Sequence, residues 1–175
     1  MKLSSLGDII LISPSLRALR KKFPGAHISV LTDFKYKEVL NYCPYIDEPI
    51  YTSKRNTLFQ WIKLIKELKN KKFDLSIDFQ NSYRTHLISY LAQIFHRYGY
   101  HRKWGFLLTH SITDIPMEPV LHQFQILKEL GIPLLDASVE FWTSKEEKQH
   151  TLSLCRRKGI ELNKSYALFH IGASW

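Results

Sequence analysis

The sequence predicts an α/β protein: a parallel sheet with helices on both faces. Two observations predict it. Apolar segments of strand period alternate along the chain with segments of helix period. That alternation marks βαβ units, whose crossover helices cover both faces of a parallel sheet. The 175 residues are also 45% hydrophobic and 23% charged, which suits one well-filled core and is too apolar for a disordered chain.

The chain opens on "KLSSLGDII", residues 2–10. Residues 9–12 (Ile, Ile, Leu, Ile) read in two ways. They form a buried strand, with Ser13 capping a helix whose first residue is Pro14; or a helix begins at Asp8 and carries Pro14 in its first turns. Local propensity slightly favours the strand. "HISVLT" (27–32) is short and β-branched, a strand, and "FKYKEVLNYC" (34–43) is a short helix. "PIYT" (49–52) is a strand. "TLFQWIKLIKELKNK" (57–71) sets Leu58, Trp61, Ile62, Ile65 and Leu68 on one helical face.

"FDLSIDFQ" (73–80) alternates as a strand, "SYRTHLISYLAQIF" (82–95) is helical, and "RYGY" (97–100) is a strand or turn. Residues 101–118 form the loosest stretch. "PVLHQFQILKELGI" (119–132) is a helix ended by Gly131, "ASVEFW" (137–142) is extended, and residues 145–160 form a charged helix capped by Ser144. "YALFHIG" (166–172) is a last strand. The first strand of such a fold belongs ahead of "SSLGD", where only Met1, Lys2 and Leu3 stand. Both ends read as cut, and an unpaired edge at the first strand invites self-association.

Several function classes lack their signatures. There is no GxGxxG, no P-loop and no GxSxG elbow. Cys43 and Cys155 fit no CxxC or zinc spacing and read as free thiols. No run approaches the ~18 apolar residues of a membrane span, and residues 1–15 lack a signal-peptide pattern, so a place inside the cell is expected. The net charge of +9 suits an acidic partner, although "LRALRKKF" and "LCRRKGI" also read as helix ends carrying cations against the dipole.

Candidate site residues fall after strands. Asp8 reads from spacing as a helix cap, and its place on a strand-end loop also suits a general base. Gly7 would permit a tight turn beside it. Ser4 and Ser5 can bind acceptor or phosphate oxygens, or satisfy backbone groups. Asp78, Gln80, Ser82 and Arg84 follow a strand, where open α/β sheets bind ligands. Arg84 can grip a carboxylate or phosphate, or lie on a helix surface. "HRYGYHRKW" (96–104) sets Arg97, His101, Arg102 and Lys103 among aromatics, a pattern that suits an anionic saccharide or nucleic acid. No recognised module surrounds it, so nucleic acid is not expected as the partner. His96 and His101 lack a third ligand, so no metal is expected.

"KLSSLGDIILISPSLRALRKKFPGAHISVL" resembles the N-terminal signature of the ADP-heptose:lipopolysaccharide heptosyltransferases, glycosyltransferase family 9. "FDLSIDFQNSYRTHLISYL" resembles the family's "D-x-x-I-D-x-Q-G-x-x-R-S", with Asn81 where glycine is usual. "RYGY" resembles "R-I-G-F", "HQFQILKELGI" the helix closing the first domain, and "YALFHIGASW" the "I-x-x-x-P-G-A-S" strand opening the second, with His170-Ile171-Gly172 where His/Asn-Pro-Gly is frequent.

The resemblance implies the N-terminal, acceptor-side half of a GT-B enzyme, a Rossmann-like domain over 1–165, with 166–175 starting the segment toward an absent second domain. It favours the helix at Asp8 and makes Asp8 the base. Ser4, Ser5, Gly7, Gln80, Arg84, Arg97, Arg102 and Lys103 become acceptor contacts, and His170 and Ser174 approach the donor. It implies ADP-heptose as donor substrate, no cofactor, and an anionic lipopolysaccharide core as acceptor. The place of action is the cytoplasm, peripheral at the inner membrane. The isolated chain is then inactive. A non-catalytic remnant and a basic nucleic-acid-binding module are the competing readings.

Overall fold

The computed structural model describes residues 1–53 and 55–160, in two units, Met1–Trp142 and Thr143–Trp175. The strand expected over 166–172, the boundary expected at 165/166, and His170 and Ser174 lie outside the described residues. The first unit runs α1 (Leu6–Ile10), α2 (Ser13–Lys22), β1 (Ser29–Asp33), a 3₁₀ turn (Phe34–Leu40), β2 (Glu48–Thr52), α3 (Leu58–Asn70), β3 (Leu75–Ile77), α4 (Tyr83–Leu91), β4 (His96–Tyr100), a 3₁₀ turn (Gly105–Leu107), β5 (His110–Ile112) and α5 (Pro119–Lys128). The second carries α6 (Lys145–Arg157). Ser144 Oγ accepts the Glu147 N–H at 3.0 Å and Glu147 Oε2 takes the Ser144 N–H at 2.7 Å, the reciprocal cap the sequence announces.

All strand pairs are parallel: β1 with β2, β3 with β4, and β4 with β5. Met1–Leu3 joins the two sheets. Lys2 N donates to Leu31 O at 3.0 Å on one side, and Phe79 N donates to Met1 O at 3.0 Å on the other. Successive β1 residues point to opposite faces. Leu31 packs with Leu3, Leu64, Leu68 and Ile88 under α3 and α4, while Val30 packs with Ile9, Ile12 and Leu16 under α1 and α2. A third cluster sets Leu19 and Ile77 against Phe124, Ile126 and Leu127 of α5. Helices therefore cover both faces.

Several expectations are corrected. Residues 6–10 are helix, so the strand reading of 9–12 fails. Ile9, Ile12 and Leu16 recur at helical spacing and sink into one cluster, and that packing overrides β propensity. The cap of α1 is Ser5, with Asp8 three residues inside. Gly7 serves no tight turn: it is helical, and a Cβ there would meet nothing within 4 Å. Ser13 is the first residue of α2 rather than its cap, and its Oγ accepts the Glu140 N–H at 2.8 Å. Residues 34–43 give only the 3₁₀ turn.

The strand over 73–80 shrinks to Leu75–Ile77 because the Phe79 and Gln80 amides turn to Met1 O. The helix over 82–95 stops at Leu91, and Gln93 then takes a positive φ of 58°. On α3 the buried residues are Leu64 and Leu68, while Leu58 and Ile62 are exposed. Residues 101–118 hide the strand β5, too short for its own pattern. Residues 137–142 pair with no strand; Glu140 instead meets the Arg17 guanidinium and Tyr45.

The Met1 amine is enclosed, although part of its side chain is exposed, and it donates to Ile77 O. Burial pushes it from 8.0 down to about 6, with Asp78 opposing and Lys2 reinforcing. Between those values the unfolded chain binds a proton that the folded chain does not. Stability is therefore expected to rise from pH 6 to pH 8, by ~2–3 kcal/mol for about 2 units. Urea unfolding of the free and N-terminally acetylated chains at both pH values isolates it. An equal pH slope in the two would show that the amine contributes nothing.

Candidate acceptor site

Three connections leave the carboxyl ends of parallel strand segments side by side: Ser4–Ser5 after Met1–Leu3, Phe79–Ser82 after β3, and His101–Trp104 after β4. Open α/β sheets bind ligands at this edge.

Gln80 ties the first two together. Its Oε1 accepts Leu3 N at 2.9 Å and Ser4 N at 3.1 Å, fixing the approach to Ser5. The Ser5 N–H donates to Asp8 Oδ2 at 2.8 Å, and Lys2 Nζ lies 3.6 Å from the same oxygen. Asp8 Oδ1 takes no partner among the described residues, and the side chain is 43% exposed. The carboxylate is thus held through one oxygen and open at the other.

Behind Gln80 lies a buried polar core. Asp78 is 1% exposed, and its Oδ1 accepts Gln80 N at 2.9 Å and Asn81 N at 3.1 Å. This turn puts Asn81 at φ 54°, the left-handed region that glycine enters freely and asparagine more readily than most. The family's glycine position is thereby explained by backbone conformation. Asp78 Oδ2 lies 3.2 Å from His86 Nε2, a charge contact that falls short of a linear hydrogen bond. His86 Nδ1 is 3.1 Å from Lys103 O, so one buried ring couples β3, α4 and the loop after β4. The sequence reading missed His86. The available signal was Thr85, His86 and Ser89, a polar stripe that proves wholly buried.

The predicted cations separate. Arg84 is exposed, its guanidinium 5.7 Å from the Tyr83 ring centroid, and Tyr83 lies 5.9 Å from Trp104. Lys103 adjoins this pair in sequence and is exposed. Arg102 Nε meets Asp114 Oδ2 at 2.7 Å, and Asp114 Oδ1 meets His122 Nε2 at 2.6 Å. Arg97 stands at the opposite, amino end of β4. It donates to Leu107 O and to the Ile94 and Phe95 carbonyls, bracing the turn there. The structure does not bring Arg97 to Asp8. Both cysteines are free, and no cluster of three metal-ligating side chains occurs among the described residues. No helix among them is long and apolar enough to cross a membrane.

A parallel α/β sheet with an open carboxylate at its carboxyl edge defines the class: a Rossmann-like protein with a polar ligand site. The particular family follows from comparison. The family model for glycosyltransferase family 9 (heptosyltransferase) matches residues 61–175, and the chain belongs to that family. A Haemophilus influenzae protein named as a glycosyltransferase is 27% identical over 96% of this chain and 52% of its own length. The structure of a glycosyl transferase family 9 protein from Veillonella parvula superposes with a TM-score of 0.80 at 24% identity, over 91% of this chain and 48% of that one. That of Escherichia coli ADP-heptose LPS heptosyltransferase II gives 0.63 at 22%, over 93% and 52%. The chain therefore spans about half the length of these relatives, whose solved members are GT-B enzymes.

Proposed function

We propose that this chain is the acceptor-binding side of a sugar transferase that moves heptose from ADP-heptose onto the inner core of lipopolysaccharide. The Asp8 carboxylate carries the reading. It stands at the carboxyl edge of the sheet, braced at Oδ2 by Ser5 and Lys2 and open at Oδ1. A base so placed can take the acceptor hydroxyl proton as the hydroxyl attacks the sugar carbon. Ser4, Ser5, Arg84, Arg102 and Lys103 surround the acceptor, with Tyr83 and Trp104 as a stacking face. Gln80 holds the serine loop rather than the ligand. Gly7 leaves space beside Asp8 for a sugar ring. The donor side, with His170 and Ser174, belongs to the half of the relatives' length that this chain does not span. The 175 residues alone should bind acceptor without turning over ADP-heptose.

Titration with lipopolysaccharide core oligosaccharide and with single-stranded DNA, each at two salt concentrations, tests the reading. Saccharide binding should weaken moderately with salt, since exposed charges are screened beyond about 8 Å at physiological strength. The Arg84→Ala/Lys103→Ala double variant should weaken it further, and Arg97→Ala should act on stability instead. Tighter DNA binding at both salts, with a steep slope, would mean a nucleic-acid module.

A further inference from the structure

The joint between the two sheets is closed at only one end. Toward the amino ends of β1 and β3, beyond Met1, a cavity of about 680 Å³ lies between the two strands. Ile12, Leu16 and Leu19 of α2 line it on one face, and Ile50, Leu68 and Ile94 on the other. Its width is set where Met1–Leu3 bonds to both sides: two inter-strand spacings, ~9.6 Å, which admit one extended chain and no helix.

Its walls are backbone as well as side chain. In a strand, successive residues turn their N–H and C=O groups to alternate sides. Ile28 O accepts from Asp47, on the β2 side, and Leu31 O accepts from Lys2, on the cavity side. Ser29 and Leu31 therefore address the cavity. On the other wall Asp78 N donates to Tyr98 O and Asp74 O accepts from His96, both toward β4, while Ile77 O takes the Met1 amine. Leu75 and Ile77 thus face Ser29 and Leu31. Ser29 Oγ, buried and without a partner among the described residues, lies on the same wall. Lys71, Lys72 and His27 ring the entrance, and the Met1 amine closes the far end.

We propose that this slot is a strand acceptor: it takes about five apolar residues of a second polypeptide, ~16 Å of extended chain, parallel to β1 and β3. Both faces of the guest must be apolar, because helix side chains line one face of the slot and Leu68, Ile94 and Ile50 the other. The guest's carboxyl end meets the Met1 amine, and acidic residues at its amino end meet Lys71 and Lys72. A small molecule would not satisfy peptide groups spaced two residues apart on both walls.

The test uses the 175-residue chain and the peptide EEVLVIV with a free carboxylate, read by amide hydrogen exchange. Exchange at Ser29, Leu31, Leu75 and Ile77 should slow at least about tenfold, with a rise in Tm. EEVPVPV, which lacks the donors, should do neither. Unchanged exchange at saturating peptide would overturn the proposal. So would protection confined to the outer edges of β2 and β5, which marks indiscriminate edge pairing, or a chain already dimeric in which those four amides are protected without peptide.

Discussion

Asp8→Asn is expected to slow sugar transfer ~10²–10⁴-fold, the range for loss of a general base, in a chain that joins these 175 residues to the second half of the Haemophilus influenzae relative. The same change should alter stability by no more than about 1–2 kcal/mol. The asymmetry follows from the two oxygens. Asn still presents one oxygen to the Ser5 N–H, which Asp8 accepts at 2.8 Å. The Lys2 contact is partly exposed, and such pairs contribute ~0–1 kcal/mol. What Asn lacks is an oxygen that can take a proton. Steady-state kinetics with core oligosaccharide, beside urea unfolding of both proteins, separates the two roles. A variant that keeps its kcat while losing stability would reduce Asp8 to a helix residue.

The sequence made some parts of this molecule legible and hid others for physical reasons. The α3 helix and the Ser144 cap of α6 rest on local patterns, and local patterns survive folding. The opening segment does not obey its own propensities. Four aliphatic residues in a row favour a strand in isolation, and the ridge of Ile9, Ile12 and Leu16 decides for helix only once β1 lies beneath it. β5 has three residues, fewer than one period of alternation can establish.

Cations are the least legible. Arg84, Arg97 and Arg102 look alike in sequence, yet one lies against a ring, one braces three carbonyls and one pairs with Asp114. Those partners come from loops up to twelve residues away or from carbonyls, which no composition reveals. Asn81 shows the opposite case. A departure from the family's glycine is harmless because the turn needs a left-handed residue and not the absence of a side chain.

His86→Ala is expected to cost ~3–5 kcal/mol, the range for removing one member of a buried charge contact. The ring is fully buried, and both nitrogens face oxygen: Lys103 O at 3.1 Å and Asp78 Oδ2 at 3.2 Å. Truncation leaves a buried carboxylate oxygen without its neighbour and opens a void between α4 and the loop after β4. Asp78 keeps the Gln80 and Asn81 amides through Oδ1, so the damage reaches acceptor binding chiefly through Lys103 and Trp104, which lose their tether. Saccharide affinity should therefore fall in this variant although His86 touches no ligand. His86→Gln, which can keep one donor, should recover part of both losses. Arg84→Ala, at an exposed position, should weaken binding with little change in unfolding. If His86→Ala unfolded within about 1 kcal/mol of the parent, the contact would not be the support of this edge. The position of Lys103 would then rest on the Gly105–Leu107 turn alone.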